Sequence, residues 1–448
     1  MLSVSDAQSR TADLIAAARR AGADAADALY LGNGSTQVSV RLGKLEDVDR
    51  SESEEIGLRV FVGSRSASVS SSDLGAEALA ALVDRATAMA RQAPEDPYAG
   101  LAPEDRLFTG ELPDIDSHDP ADPAPADLRA RALEAETAAL AVDGVTNSDG
   151  ASASAGRMVV ALATSHGFSR GYASSSHGGS ASVIAGEGAD MQRDYAYHST
   201  RHLADLEAAG AIGRRAGDRA VARLNPGKLA SGAMPVVYDP RVGSSLLGHL
   251  AGAISGSSIA RRTSFLLDSL GKPIFAHGIM VRDDPLRRRG LRSKPFDGEG
   301  LPTAPLDIIA DGVLTGWLLD SAAARQLGLQ PTGHASRGVG GPPGVSTTNL
   351  YMAAGPLSPA ALMADIKLGL YVTELIGQGV NGVTGDYSRG ASGFVIRDGV
   401  LAEPVAEITV AGNLKQMFLN LTPADDLEFR RGTDVPTIRI EGMTVAGA

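Results

Sequence analysis

The stretch from Thr146 to Glu187, TNSDGASASAGRMVVALATSHGFSRGYASSSHGGSASVIAGE, carries strand-like sequence built largely from Ser, Ala and Gly. Small residues of this kind suit sheet surfaces covered by short side chains and joined by tight turns. A helix pattern precedes the stretch, from about Ala126 to Val142, and another follows it, from about Leu203 to Leu224. The segment therefore reads helix, antiparallel strands, helix. The N-terminal segment repeats that layout. Ser5 is a candidate N-cap, Leu14, Ile15 and Ala18 form an apolar stripe, and Gly22 can end the helix. Short alternating strands follow at Thr36, Val38 and Val40 and, after a polar connection, at Ile56, Leu58 and Val60. A second helix runs from about Leu74 to Arg91, and Pro94 to about Pro125 is a linker dense in Pro, Asp and Gly. Identity between the two halves is too weak for a duplication, so only the layout is shared.

Asn225, Pro226 and Gly227 mark the next boundary, beyond which the chain is strand-rich. Pro235 to Tyr238 is a short apolar strand. Asp311-Gly312 and Asp398-Gly399 each lie between apolar runs, a hairpin signal, and a helix from about Pro359 to Ile376 separates them. With 448 residues the chain exceeds a single ordinary core. The expected fold is α+β, with an N-terminal region of helices and antiparallel strands and a C-terminal domain rich in antiparallel sheet. The expected divisions are 1–110, 111–224 and 225–448.

Composition excludes several classes of function. The 53 glycines follow no Gly-X-Y period, and 43% hydrophobic with 21% charged residues is ordinary for a soluble globular protein. A formal charge of −12 repels phosphate backbones, so nucleic-acid binding has no electrostatic support. The basic run Arg287, Arg288, Arg289 and Arg292 is short, follows Asp283 and Asp284, and reads as a solvated loop. The chain has no cysteine, which rules out disulfides, thiolate metal ligands and thiol catalysis. The start, MLSVSDAQSR, lacks a signal-peptide pattern, and no apolar run approaches the roughly 20 residues that cross a bilayer. A soluble cytoplasmic protein is expected, with no membrane contact.

Local motifs are weak. Gly167-Phe168-Ser169-Arg170-Gly171 matches a nucleophile elbow, but more strand-like sequence follows where a helix is required, so a strand-edge turn is expected. Gly338-Val339-Gly340-Gly341 lacks the Lys-Ser/Thr pair of a phosphate loop and is followed by Pro342 and Pro343, which suggests a flexible lid or turn. His198 and His202 stand four apart, without the glutamate that a zincin pattern requires. Asp297 and Glu299, among Gly298 and Gly300, read as a turn or as an acidic loop facing substrate.

The C-terminal half carries a series of distinctive segments: Ser264 to Lys272 (SFLLDSLGK), Lys294 to Gly300 (KPFDGEG), Asp307 to Arg325 with Trp317-Leu318-Leu319, Gly333-His334-Ala335 and Thr347-Thr348-Asn349. Thr373 to Gly379 (TELIGQG), Gly385 to Phe394 (GDYSRGASGF) and Glu407 to Leu414 (EITVAGNL) complete the set. In order and spacing this series resembles the PmbA/TldE family. The resemblance implies kinship to TldD, a metallopeptidase with a His-Glu-x-x-x-His motif and a later cysteine ligand. Here the corresponding stretch is Leu246-Leu247-Gly248-His249-Leu250-Ala251-Gly252-Ala253. Gly248 stands at the first histidine, His249 at the glutamate and Ala253 at the second histidine. Glycine and alanine carry no donor atom, and one histidine is fewer than the three protein ligands usual for catalytic zinc. His249 is expected to be a hydrogen-bonded helix residue, and Asp386 and Arg389 a local ion pair within a turn, the alternative being peptide or subunit contact.

The resemblance implies a subunit with no metal or other cofactor of its own. Its TldD-like partner would supply a zinc-like metal, and the pair would cleave unfolded or leader peptides. His249, Asp297, Glu299, Asn349, Asp386 and Arg389 are the candidates for substrate or interface contact. The alternative is a non-enzymatic homodimer that binds peptide or protein in a regulatory role, in keeping with the family's gyrase-modulator label. An independent hydrolase using Ser169 or His249 lacks a recognisable triad partner.

Overall fold

The computed structural model of the chain describes residues 1–447. Helix α1 (Val4–Arg20) leads into strands β1 (Ala25–Arg41), β2 (Lys44–Val62) and β3 (Arg65–Ser71), and helix α2 (Ala76–Gln92) closes the unit. Ser3, rather than Ser5, caps α1 by accepting from the Asp6 amide. The second unit repeats the order with α3 (Pro125–Leu140), β4 (Val145–Thr164), β5 (Ser169–Ala185), β6 (Gln192–Thr200) and α4 (Ala209–Ala222). The two units share one antiparallel sheet of order β3-β2-β1-β4-β5-β6, joined where β1 pairs with β4 from Asp27↔Thr164 to Val40↔Ala151.

Two sequence expectations need correction here. The polar connection between the first strands is itself strand. β1 and β2 form one long hairpin turning at Leu42-Gly43, and the part of β2 from Lys44 to Ser53 is exposed throughout. Backbone pairing with β1 holds it without apolar alternation. The helix expected from Leu203 begins at Ala209, after strand β6 and a short 3₁₀ turn.

Helices cover one face of the sheet. Leu14, Ile15 and Ala18 of α1 and Leu82, Val83 and Ala86 of α2 pack on Ala28, Tyr30, Ile56 and Leu58. Leu128, Ala132 and Ala135 of α3 and Ile212 and Ala216 of α4 pack on Ala151, Ala153, Ala181 and Val183. Small residues permit the close approach. A Cβ on Gly213 would lie 1.9 Å from the Ala135 carbonyl oxygen of the neighbouring helix.

The opposite face receives the C-terminal domain. Its first strand is β7 (Gly232–Tyr238), followed by helix α5 (Pro240–Ala253). β7 runs parallel to Leu368–Ile376 and antiparallel to Ile438–Ala446. From Leu368–Ile376 the ladder passes to Asp386–Arg397 and Val400–Asn413, and the last pairs with Ile438–Ala446. Five strands of the sheet thus close on themselves, and the short strand Leu421–Pro423 adds to Ile438–Ala446 at the margin. A smaller sheet includes Val281–Asp283, Leu306–Ala310 and Leu350–Met352. Both Asp-Gly pairs form two-residue hairpins with positive φ at each position, 51° and 80° at Asp311-Gly312 and 44° and 83° at Asp398-Gly399. The helix expected over Pro359–Ile376 is wrong beyond its first turn. Pro359–Met363 is helical, and Leu368–Ile376 is a strand of the closed sheet with Leu370 and Val372 fully buried.

The two halves lock through a buried charge cluster. Asp27 on β1 accepts from Arg59 on β2 (Nε–Oδ2 2.9 Å) and from Arg337 of the C-terminal domain. Its side chain is 3% exposed, and those of Arg59 and Arg337 are 7% and 1% exposed. Burial alone would raise the Asp27 pKa, but the two guanidiniums hold it below the usual range. Val339 packs with Leu29 and Phe168, and a Cβ on Gly57 would lie 2.0 Å from the Val339 carbonyl oxygen. The glycine-rich loop is therefore a clamped docking segment, not a lid. The linker is also strapped down, because Arg325 donates to the carbonyls of Tyr98 (2.8 Å), Gly100 (3.0 Å) and Leu101 (2.9 Å). Asp27→Ala would leave two buried guanidiniums without a counter-charge. It is expected to lower unfolding free energy by about 3–5 kcal/mol in urea titration, and a loss below about 1 kcal/mol would contradict this account.

Candidate functional site

Helix α5 presents Gly248, His249 and Ala253, the positions at which the resemblance implies the metal motif of a TldD-type chain. Pro240 occupies its first turn and the Asp239 carboxylate caps it by accepting from the Arg241 amide at 2.8 Å. Leu246, Leu247, Leu250 and Ala253 turn into the core. Gly248 is exposed, with no heavy atom within 4 Å of a built Cβ. His249 lies between these faces. Its ring meets Tyr387 edge to face, with centroids 6.1 Å apart.

His249 is not hydrogen-bonded through Nε2, which is buried without a partner. This departs from the hydrogen-bonded histidine expected from sequence. Burial, and secondly the charge of Arg389, hold its pKa below the ordinary imidazole value. The neutral ring is therefore favoured near pH 7.

Asp386 and Arg389 do not form the expected ion pair. They lie three apart on the strand Asp386–Arg397, so alternation sends them to opposite faces. Asp386 is exposed and accepts from Thr384 Oγ1 (2.7 Å) and Asn413 Nδ2 (3.0 Å). Arg389 faces inward with Tyr387, and its Nε donates to the Ile376 carbonyl at 3.3 Å. Tyr387 was not singled out by the sequence reading. Its place two residues from Arg389 on a strand was the available signal.

Asp297, Glu299 and Asn349 lie elsewhere, in the body of the C-terminal domain. Asp297 is a turn organiser, not a solvent-facing acid. Oδ1 accepts from the Glu299 and Leu301 amides at 2.9 Å each, and Oδ2 from the Ala335 amide at 3.1 Å. Glu299 accepts at Oε2 from the Ser321 amide (2.8 Å) and hydroxyl (2.7 Å). Both are buried, so in this chain their contacts are to protein. Asn349 is also buried, donating to the Asp284 carbonyl (2.7 Å) and Ser293 Oγ (2.8 Å). It borders a cleft of about 400 Å³ between β6 and the Arg287–Leu291 segment. There Arg288 and Arg289 pair with Asp114, Asp116 and Asp205, and Arg287 stacks 3.4 Å over Phe429.

The other histidine and serine candidates gather no chemistry. His198 lies on β6 and its Nδ1 accepts from the Glu207 amide at 3.1 Å, while His202 faces Asp116. Ser169 opens β5, a strand and not a helix. Among the described residues no group of three or more His, Cys, Asp or Glu is placed to hold a metal ion. No helix among them is long and apolar enough to cross a membrane.

This architecture, two helix–strand–helix units sharing one sheet and a C-terminal domain built on a closed sheet, points to the metallopeptidases of the PmbA/TldD type. Residues 231–447 match the PmbA/TldA metallopeptidase C-terminal domain, 118–224 the central domain and 26–90 domain 1. The chain is 41% identical over 412 residues to the metalloprotease PmbA of Escherichia coli O157:H7, covering 92% of this chain and 89% of that one. It is 38% identical over 432 residues to a metalloprotease PmbA homolog of Haemophilus influenzae, covering 96% and 94%. A crystal structure from Bacteroides thetaiotaomicron, of a candidate modulator of DNA gyrase, superposes with a TM-score of 0.92 at 26% identity over the whole of both chains. TldE from Thermococcus kodakarensis shares the fold, with a TM-score of 0.87 at 19% identity, covering 98% of this chain and all of that one. The chain belongs to the PmbA/TldD metallopeptidase family.

Glu299 makes a testable feature of the KPFDGEG segment. Burial first and the Asp297 charge second push its carboxyl from an ordinary 4.5 up to about 7. A raised carboxyl pKa means the folded state keeps a proton that the unfolded chain releases. The stability it contributes is full below about pH 4.5 and is lost as pH rises to about 7. Glu299→Gln keeps an acceptor for Ser321 and removes the titration. The wild type should lose on the order of 2–3 kcal/mol relative to this variant between pH 5 and 7.5 in urea unfolding. Parallel pH profiles would exclude the assignment.

Proposed function

We propose that this chain is the subunit without a metal of its own in a two-subunit metallopeptidase, paired with a TldD-like chain that supplies the metal and its ligands. The observation that carries the reading is the chemistry of α5. Gly248 and Ala253 have no donor atoms at the ligand positions, and the chain has no cysteine for a third. His249 remains, with the positive charge of Arg389 acting on it. That charge repels a divalent cation, so the residues present do not fit a metal and no catalytic step is assigned to them.

In this reading the chain helps to hold an unfolded or leader peptide while the partner cleaves it, in the cytoplasm. β6 is an edge strand of the N-terminal sheet, and an edge can take an extended peptide through main-chain hydrogen bonds. The regulatory alternative, a homodimer that binds peptide or protein, draws on the gyrase-modulator description of the Bacteroides relative.

Hydrolysis of an unfolded peptide separates the readings. The purified chain should cleave nothing. A mixture with its TldD-like subunit should cleave, and chelator should abolish that activity. Cleavage by the chain alone would refute the inactive-site reading. Failure of the two chains to associate in size-exclusion chromatography would favour the homodimer.

A further inference from the structure

Most buried guanidiniums in this protein have a carboxylate or carbonyl partner, although Nε of Arg241 and Nε and Nη2 of Arg337 stay buried without one among the described residues. Arg59, Arg241 and Arg337 each reach an aspartate, and Arg325 is satisfied by three carbonyls. Arg389 differs. It is 9% exposed, no carboxylate among the described residues lies within ion-pair distance, and only its Nε makes a hydrogen bond. Its two terminal nitrogens have no protein acceptor among those residues. Both are absent from the buried, unpartnered atoms and so are open to solvent, where water or a bound anion can supply the acceptor.

Two further donors stand beside it. Tyr387 is 2% exposed and its hydroxyl is buried without a partner of acceptable hydrogen-bond geometry. The neighbouring Tyr238 hydroxyl donates instead to Met443 Sδ at 3.4 Å. The Nε2 of His249 is the third unpartnered group. Tyr387 and Arg389 share the inner face of their strand, and His249 approaches Tyr387 from α5. Space adjoins the cluster at Gly248, and the chain near it exposes Ile376 (60%) and Val383 (57%).

We propose that His249, Tyr387 and Arg389 form a carboxylate-binding site that takes a carboxylate of a bound peptide. The two terminal nitrogens of Arg389 match the two oxygens of a carboxylate, and Tyr387 and His249 donate to the same group. One guanidinium beside a neutral imidazole balances one negative charge, which suits a carboxylate better than a phosphate dianion. The site therefore anchors a peptide at its C-terminus or at an Asp or Glu side chain, through shared chemistry. It would offer a fixed cation to an anion where the family's active subunit holds a metal. This inference rests on the reading of the chain as a peptide-handling subunit, but its test needs neither the partner nor proteolysis.

Binding to the full-length chain would be measured by calorimetry and by the His249 ring signals in NMR. The probes are acetyl-trialanine as the free acid, the same peptide as its C-terminal amide, and acetyl-Ala-Asp-Ala-amide. The free acid should bind and shift the His249 signals, while the trialanine amide should do neither. Binding of the Asp peptide would extend the site to side-chain carboxylates, and its absence would restrict the site to the C-terminus. Arg389→Gln should weaken the acid at least tenfold. Tyr387→Phe, which keeps the ring packing against His249, should weaken it about threefold to tenfold. Equal binding of acid and amide, no binding of the acid at 10 mM (a probe concentration of about −2.7 kcal/mol on the affinity scale), or unchanged binding in a folded Tyr387→Phe variant would each overturn the proposal.

Discussion

The single carboxylate of Asp27 is the contact on which the assembly of the molecule depends. It lies between a guanidinium from its own sheet and one from the C-terminal domain, and all three side chains are almost fully buried. Two buried cations against one anion leave an excess positive charge that water cannot screen. Glu299 is placed so that the charge of Arg59 favours its ionised form, although burial and Asp297 act more strongly the other way. The interface is therefore held by a charge balance together with apolar contact. The apolar part comes from Phe168 and Phe296, whose rings meet edge to face at 5.1 Å, with Val339 closing over Gly57. Charge placement selects the docking register, since an unpaired buried arginine in any other register would carry the full desolvation penalty.

The same constraint explains why the KPFDGEG segment contains so many polar groups yet faces no solvent. Lys294 donates to the Ala335 carbonyl at 3.1 Å while Asp297 accepts from the Ala335 amide, so Ala335 is held through both of its backbone groups. Three backbone amides on Asp297 favour its ionised form against burial, whereas Glu299 meets one amide and one hydroxyl. Burial raises both carboxyls, and for Glu299 the Asp297 charge adds to that rise. Acids in a glycine-rich turn look like substrate contacts in sequence, but here they terminate backbone hydrogen bonds that a buried irregular loop cannot otherwise satisfy.

What was legible in the sequence follows from the range of the interactions involved. Asp311-Gly312 and Asp398-Gly399 were readable because a type I′ turn depends on two adjacent residues tolerating positive φ. The helix–strands–helix order of both N-terminal units was readable from local apolar patterns. Leu368–Ile376 was misread because LGLYVTELI has no clean alternation to set it apart from helix, and its strand partners β7 and Asp386–Arg397 are not local. The exposed length of β2 was missed for the opposite reason, since it has no apolar face and is held by pairing with β1. Asp386 and Arg389 suggested an ion pair because their charges are opposite and near in sequence. A strand places positions three apart on opposite faces, and whether a strand exists there depends on partners more than ten residues away.

The candidate site was visible only in part, for a related reason. Gly248, His249 and Ala253 could be located because they lie within six residues of one another on a single helix. What stands opposite them comes from a distant strand, and no local pattern connects Tyr387 or Arg389 to His249. The fold brings together a neutral imidazole, a phenol and a guanidinium with no protein acceptor left over among the described residues. Glycine and alanine on α5 would be compatible with an apolar filling opposite them. Arg389 instead brings a charge that no carboxylate among the described residues neutralises. Its terminal nitrogens take no protein acceptor among those residues, so water or an anion meets them, and of the two only an anion also neutralises the charge.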